Sequence, residues 1–404
     1  MVKLSKAIRS TFLTGLIAAL LSVSGAAQSS QPQNASNGAP GTEAKQSPIP
    51  APKAQTDAAE AAGELNAAGP DVPGLDMKSG IPTYETIQED WNSLEIGVSK
   101  LEPEKPSVSD VDQEEKFSRQ MVSVRWRPGD PIDLWISLPK GVKNPPVVLY
   151  LYDFREDSDR FRNNAWCERV TNGGVAAVGF VSALSGHRFH GRPMKQWFVS
   201  ELQESLGSTV HDAKFILDYL ASRGDLDMSR VGMFGQGSGA TIAILAAAAD
   251  PRIKAIDLLE PWGDWPHFLA KSSLLQLDPA QENRDNYTKP EFLKKVEPLE
   301  PVKYLPQLKI PMRMQQVKDN DAVPMESKEA LKDALPKQAQ LRRFDTATTM
   351  FHQERGGELF AWVADQVKHL PAAAADTPAE QKPVSLAGRD AAGPAATSPA
   401  ARAR

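Results

Sequence analysis

The pattern best able to do chemistry is Gly235-Gln236-Gly237-Ser238-Gly239, near the middle of the chain. An apolar run, "VGMF", precedes it and an alanine-rich helical run follows. That is the strand, tight turn and helix that holds a serine at its tip when the order is G-x-S-x-G. Here the middle slot holds Gly237 and the serine comes one residue late. Ser238, His352 in "TMFHQERGG" and Asp321 in "VKDNDAVP" form a candidate nucleophile, base and orienting acid in that chain order. Such a set would hydrolyse an ester or amide through an acyl-enzyme that water resolves.

Each member has a plainer reading beside it. Adjacent Cα atoms lie about 3.8 Å apart, so the Ser238 hydroxyl starts off the axis of the turn. It is then equally a helix cap. Asp321 shares its loop with Asp319, and the slot counted back from Val323-Pro324 falls on Asn320. Gly235-x-Gly237-x-x-Ala240, with Asp257 or Glu260 downstream, also fits a dinucleotide fingerprint. That fingerprint belongs on the first βαβ unit, whereas here a hairpin and two parallel strands come first, so no cofactor is expected. His187, Arg188, His190, Arg192 and Lys195 in "SGHRFHGRPMKQW" form either an anion-binding loop or a plain basic surface loop. Sparse histidines without H-E-x-x-H exclude a familiar metal site. Cys167, the single cysteine, excludes an intrachain disulfide and reads as a small buried side chain.

These residues are positioned by alternating elements. Two alternating runs around Pro128-Gly129-Asp130 predict an antiparallel hairpin. "PPVVLYLYDF", "GGVAAVGFV", "RVGMFG", "IKAIDLL", "IPMRMQQV" and "AQLRRFD" predict strands, with helices near 160–171, 201–221, to 249, and in "RGGELFAWVADQVKHL". Strands alternating with helices imply a mostly parallel sheet covered on both faces. An irregular insertion at about 262–308 is too long for a plain loop and predicts a cap over the crevice.

The ends of the chain have a different character. Residues 1–27 carry Lys3, Lys6 and Arg9, then "FLTGLIAALLSVSGAA", which predicts a secretory signal cleaved near Ala27 and a periplasmic or secreted protein. No stable membrane span is then expected. Residues 28–80 and 371–404 are rich in Ala, Pro and Ser and predict disordered segments flanking one domain at 81–370. The net charge of −5, spread without runs, gives no footprint for nucleic acid. Nothing in the composition fixes an oligomeric state.

The segment "GDLDMSRVGMFGQGSGATIAILAAAADPRIKAIDLLEPWGDW" resembles the elbow region of α/β-hydrolases of the dienelactone hydrolase and prolyl oligopeptidase type. "IPMRMQQVKDNDAVP" and "TMFHQERGGELFAWVADQV" are similar to that family's acid and histidine loops, in the same order. The resemblance covers roughly 146–370 and implies an α/β-hydrolase fold with antiparallel N-terminal strands and a small-molecule ester, amide or peptide substrate. It also implies two departures. Gly237 stands where the family carries its nucleophile, and Asp153 in "LYLYDFRED" stands where the family has His-Gly beside the oxyanion. A carboxylate there has the wrong sign for stabilising negative charge. A working hydrolase and a non-catalytic relative that keeps the crevice for a ligand or protein partner are both compatible with these residues.

Overall fold

The computed structural model describes residues 89–97, 101–127, 130–154, 158–183, 188, 198–275, 287–354 and 358–371. The signal and linker segments, the tail from 372, and His187, His190, Arg192 and Lys195 lie outside the described residues. β1 (Ser107–Gln113), β2 (Phe117–Val124) and β3 (Ile132–Pro139) form an antiparallel meander. β3 turns Ile132, Leu134 and Ile136 inward while Asp133 and Trp135 stay partly open, as a strand with one covered face does.

β4 (Pro146–Leu151) is buried along its whole length, which its unbroken apolar sequence requires. The single helix expected near 160–171 is two helices, α1 (Asp159–Arg162) and α2 (Asn164–Thr171). Asn163 divides them because its side chain accepts the Trp166 N–H at 3.0 Å, the bond of a helix N-cap. The chain continues through β5 (Ala176–Gly179), α3 (Phe198–Arg223), β6 (Asp227–Gln236), α4 (Ser238–Ala249) and β7 (Ile253–Leu259). The insertion holds α5 (Trp265–Lys271), α6 (Pro290–Val296) and α7 (Pro301–Tyr304). β8 (Met312–Val317), α8 (Met325–Asp333), β9 (Gln340–Phe344), α9 (Ala347–Glu354) and α10 (Glu358–His369) complete it.

The sheet runs β1-β2-β3-β5-β4-β6-β7-β8-β9, parallel from β5 to β9. From β4 the chain steps to β5 on one side and then crosses to β6 on the other. The carboxyl ends of β4 and β6 therefore flank the switch point, where open α/β sheets form a crevice. α4 is buried from Ser238 to Ala247, so it has no face for water. It lies against β6, β7, α3 and the insertion's α7, and the insertion's other described helices pack on α3 and α8.

A buried ion cluster ties the leader to this body. The Arg127 guanidinium donates to both oxygens of Glu89 at 2.6 Å and to Asp212. Arg188 donates to both oxygens of Asp130 (2.9 and 2.8 Å) and to Asp212 at 2.9 Å. Arg188 is thus no part of a basic surface loop, because its charge is spent inside the fold. His211 places one ring nitrogen 2.7 Å from Glu89 and the other 2.9 Å from the Ser93 carbonyl. Burial alone would raise the Glu89 carboxyl, but Arg127 and His211 outweigh it and hold it down at about 2.

Glu89→Gln should lose on the order of 3 kcal/mol of stability at neutral pH in urea unfolding, the scale of unpairing a buried ion. Because the folded carboxyl titrates at about 2 against 4.5 unfolded, wild-type stability should fall as pH drops below 4.5 toward 2. The variant should lack that component of the slope.

Candidate functional site

β6 ends at Gln236 and α4 begins at Ser238, leaving Gly237 alone at the corner. Its backbone sits at φ 57°, ψ −122°, a conformation that side chains with a Cβ adopt only under strain. Its amide donates to the Leu259 carbonyl at 2.9 Å, and its carbonyl accepts from Ala240 at 3.1 Å, starting the helix. Two residues on, α4 passes so close to the end of β4 that a Cβ on Gly239 would lie 2.2 Å from the Leu151 oxygen. The corner is built as a nucleophile elbow, with no side chain at its apex.

The space above the apex belongs to Asp153. A Cβ on Gly237 would lie 2.5 Å from the Asp153 Cγ. Asp153 follows β4, and its Oδ1 accepts the backbone N–H of Phe154 at 2.9 Å and of Ser238 at 3.2 Å. The Ser238 hydroxyl donates to the same oxygen at 3.2 Å. One amide after the central strand and one after the elbow apex are the donors that an acyl-transfer site aims at a developing oxyanion. In this chain a resident carboxylate oxygen takes both.

The three candidate residues have separate surroundings. Ser238 is 0% exposed, so an incoming carbonyl has no route to its hydroxyl. His352 is exposed and lies within α9. Asp321 is also exposed, and its backbone carbonyl accepts from Ser273 at 3.1 Å. Among the described residues no hydrogen bond joins Ser238, Asp321 and His352. Asp319 instead accepts the Ala347 N–H at 3.2 Å, at the start of the helix that carries His352.

The acid slot leads elsewhere. Asn320 donates its side-chain amide to Glu260 at 2.8 Å. Glu260 follows β7, accepts the Val317 N–H at 2.6 Å, and lies 3.5 Å from the Lys328 ammonium. Burial pushes its carboxyl up to about 7, with Lys328 pulling partly back, and burial also lowers the Lys328 amine. Glu260 is one of the two acids downstream of the dinucleotide-like glycines. The signal pointing to this cluster is a charge directly after the mostly apolar strand "IKAIDLL". Asp257, the other acid of that pattern, is fully buried in a two-pronged pair with Arg313 at 3.0 and 2.7 Å. Both acids of the dinucleotide pattern are thus committed to protein partners, and the α4 N-terminus holds Asp153. Among the described residues no cluster of three or more His, Cys, Asp or Glu side chains is arranged to hold a metal. Likewise no described helix is long and apolar enough to cross a membrane.

No family model matches the sequence, and no curated protein matches it. Solved structures do. The acetyl xylan esterase from Paenibacillus sp. R4 superposes with a TM-score of 0.52 at 17% identity, over 65% of this chain and 89% of that one. The chain has the α/β-hydrolase fold. Acetyl xylan esterase 1 from Thermoanaerobacterium sp. JW/SL YS485 gives a TM-score of 0.46 at 14% identity, over 64% and 89%. The acylaminoacyl peptidase from Pyrococcus horikoshii gives 0.49 at 14%, over 64% of this chain and 43% of its own. The structural neighbours are thus esterases and peptidases, and at such identities the likeness speaks for the fold.

Gly237→Ser should destabilise the protein by about 1 to 3 kcal/mol in thermal unfolding, because the new Cβ must displace Asp153. By itself it should leave hydrolysis of p-nitrophenyl acetate at the background rate.

Proposed function

We propose that this is an exported α/β-hydrolase-fold protein that forms no acyl-enzyme and keeps its crevice to bind a small-molecule or peptide ligand. Asp153 carries the reading. An oxyanion next to its carboxylate would feel a like charge worth about 4 kcal/mol at 4 Å in a partly wet site. One oxyanion-hole donor is worth about 3 to 4 kcal/mol, so the repulsion offsets about one of the two amides, and both already donate to the Asp153 oxygen. The empty apex at Gly237 and the inaccessible Ser238 hydroxyl support the same conclusion. The basic, apolar, small-residue order of 1–27 supports export, with 28–80 as a tether.

The second reading is a serine hydrolase of esters or amides using Ser238, His352 and Asp321. One observation favours it: the Ser238 hydroxyl already donates to a carboxylate at 3.2 Å, a bond that a rebuilt turn could exchange for His352. That turn would have to expose Ser238 and move His352 into contact with it.

A fluorophosphonate probe followed by intact-mass spectrometry separates the two. A binding protein should remain unlabelled, and Ser238→Ala should change no turnover. Stoichiometric labelling that disappears in Ser238→Ala would hand the site to the hydrolase reading. Replacing Asp153 with glycine together with Gly237→Ser should then be the minimum change that makes the elbow reactive toward the probe.

A further inference from the structure

The leader at 89–97 is held on α3 mainly by polar contacts. None of its residues is buried as a whole, although the Glu89 carboxylate is. Asn92 accepts from Gln203, Glu95 accepts from Lys214 at 3.0 Å, and the Ser93 carbonyl lies 2.9 Å from a His211 ring nitrogen. A segment with so little apolar burial opens at a lower cost than the strands of the core.

Its deepest group reaches across the fold. Glu89 takes the Nε and Nη2 of Arg127, each at 2.6 Å, while Nη1 donates to Oδ1 of Asp212. The other Asp212 oxygen accepts from Arg188 at 2.9 Å, so one carboxylate carries both guanidiniums. Arg127 Nη1 also lies 3.7 Å from the Asp130 Oδ2 that Arg188 holds at 2.8 Å. If Glu89 leaves, two N–H edges of a buried guanidinium lose their acceptors, and the carboxylates that remain beside it are the two that hold Arg188. Arg188 in turn fastens the chain leaving β5. It donates to the Val181 carbonyl at 3.0 Å, and the Ala183 N–H donates to Thr209 Oγ1 of α3 at 3.1 Å. The Phe180 N–H donates to the Tyr150 carbonyl at 3.4 Å, which sets residues 180–183 beside the carboxyl end of β4, where the crevice lies.

We propose that the leader is a strap on that wall of the crevice: residues 89–97 and 180–183 open and close as one unit, joined through Glu89, Arg127, Asp212 and Arg188. Undocking the leader turns Arg127 toward the oxygens of Asp130 and Asp212, and Arg188 then gives up its hold on Val181. Loosening 180–183 first has the same end, because Arg188 leaves Asp212 and the cluster that seats Glu89 loses a guanidinium. The coupling is reciprocal, since both segments draw on one set of carboxylates.

Native-state hydrogen–deuterium exchange of the full chain in low urea tests this. In wild type, peptides spanning 89–97 and 180–183 should share one opening free energy, smaller than that of β7. Thr209→Val removes the acceptor of the Ala183 N–H and leaves the charged groups and the leader as they are. It should speed exchange of the leader by the same factor as 180–183, about tenfold for one orphaned buried amide. Gly207→Ala acts from the other side, because a Cβ there would lie 2.4 Å from the Trp91 oxygen, and it should speed 180–183 together with the leader. Two different opening energies in wild type, or openings as costly as that of β7, would overturn the strap. So would a leader at the wild-type rate in Thr209→Val, or 180–183 at its wild-type rate in Gly207→Ala. The comparison within wild type decides the matter alone if a variant fails to fold.

Discussion

The interaction on which the crevice depends is the convergence of two backbone amides, from Phe154 and Ser238, on one oxygen of Asp153. The amide at the start of α4 carries the partial positive charge of a helix N-terminus, and it needs an acceptor. A catalytic site leaves that need to be met by the transition state. This fold meets it at rest, with a side chain contributed by the strand next door. Glycine at 237 is the matching half of the exchange, because any Cβ there would collide with the carboxylate. The two substitutions are physically one: the apex can be empty because it is filled from the side.

Charge is handled the same way elsewhere in the domain. Arg127 and Arg188 are buried, which is tolerable only because Glu89, Asp130 and Asp212 surround them with hydrogen-bonding oxygens. The cluster draws on the leader, the end of β2, the approach to β3, the segment after β5, and α3. A close approach of the Trp91 backbone to Gly207, where a Cβ would lie 2.4 Å from the Trp91 oxygen, holds the leader against α3. At Glu260 burial outweighs the single Lys328 charge and displaces the carboxyl upward, whereas at Glu89 Arg127 and His211 outweigh burial.

The sequence by itself determined the alternation of strands and helices from β2 onward, the parallel sheet with its antiparallel hairpin, and the strand-turn-helix corner, while the exposed β1 and the helices α8 and α9 were not legible in it. Continuous apolar runs demand strands covered on both faces, and a small-residue turn between strand and helix admits few geometries. It also showed that the apex holds glycine and that a carboxylate follows the central strand. Local chemistry fixed those features, so local letters revealed them.

Tertiary structure alone decided what the charged residues do. Arg188 sits in a stretch of five basic residues, and only the fold brings Asp130 and Asp212 to it from distant positions in the chain. Asn320 occupied an acid's slot without explanation until Glu260 came within 2.8 Å of its amide. Hydrogen-bond partners are set by which strands lie side by side, and strand order is not written at any one position. The placement of Asp153 over Gly237 is the sharpest case, since it needs β4 and β6 to be neighbours although β5 and α3 separate them along the chain.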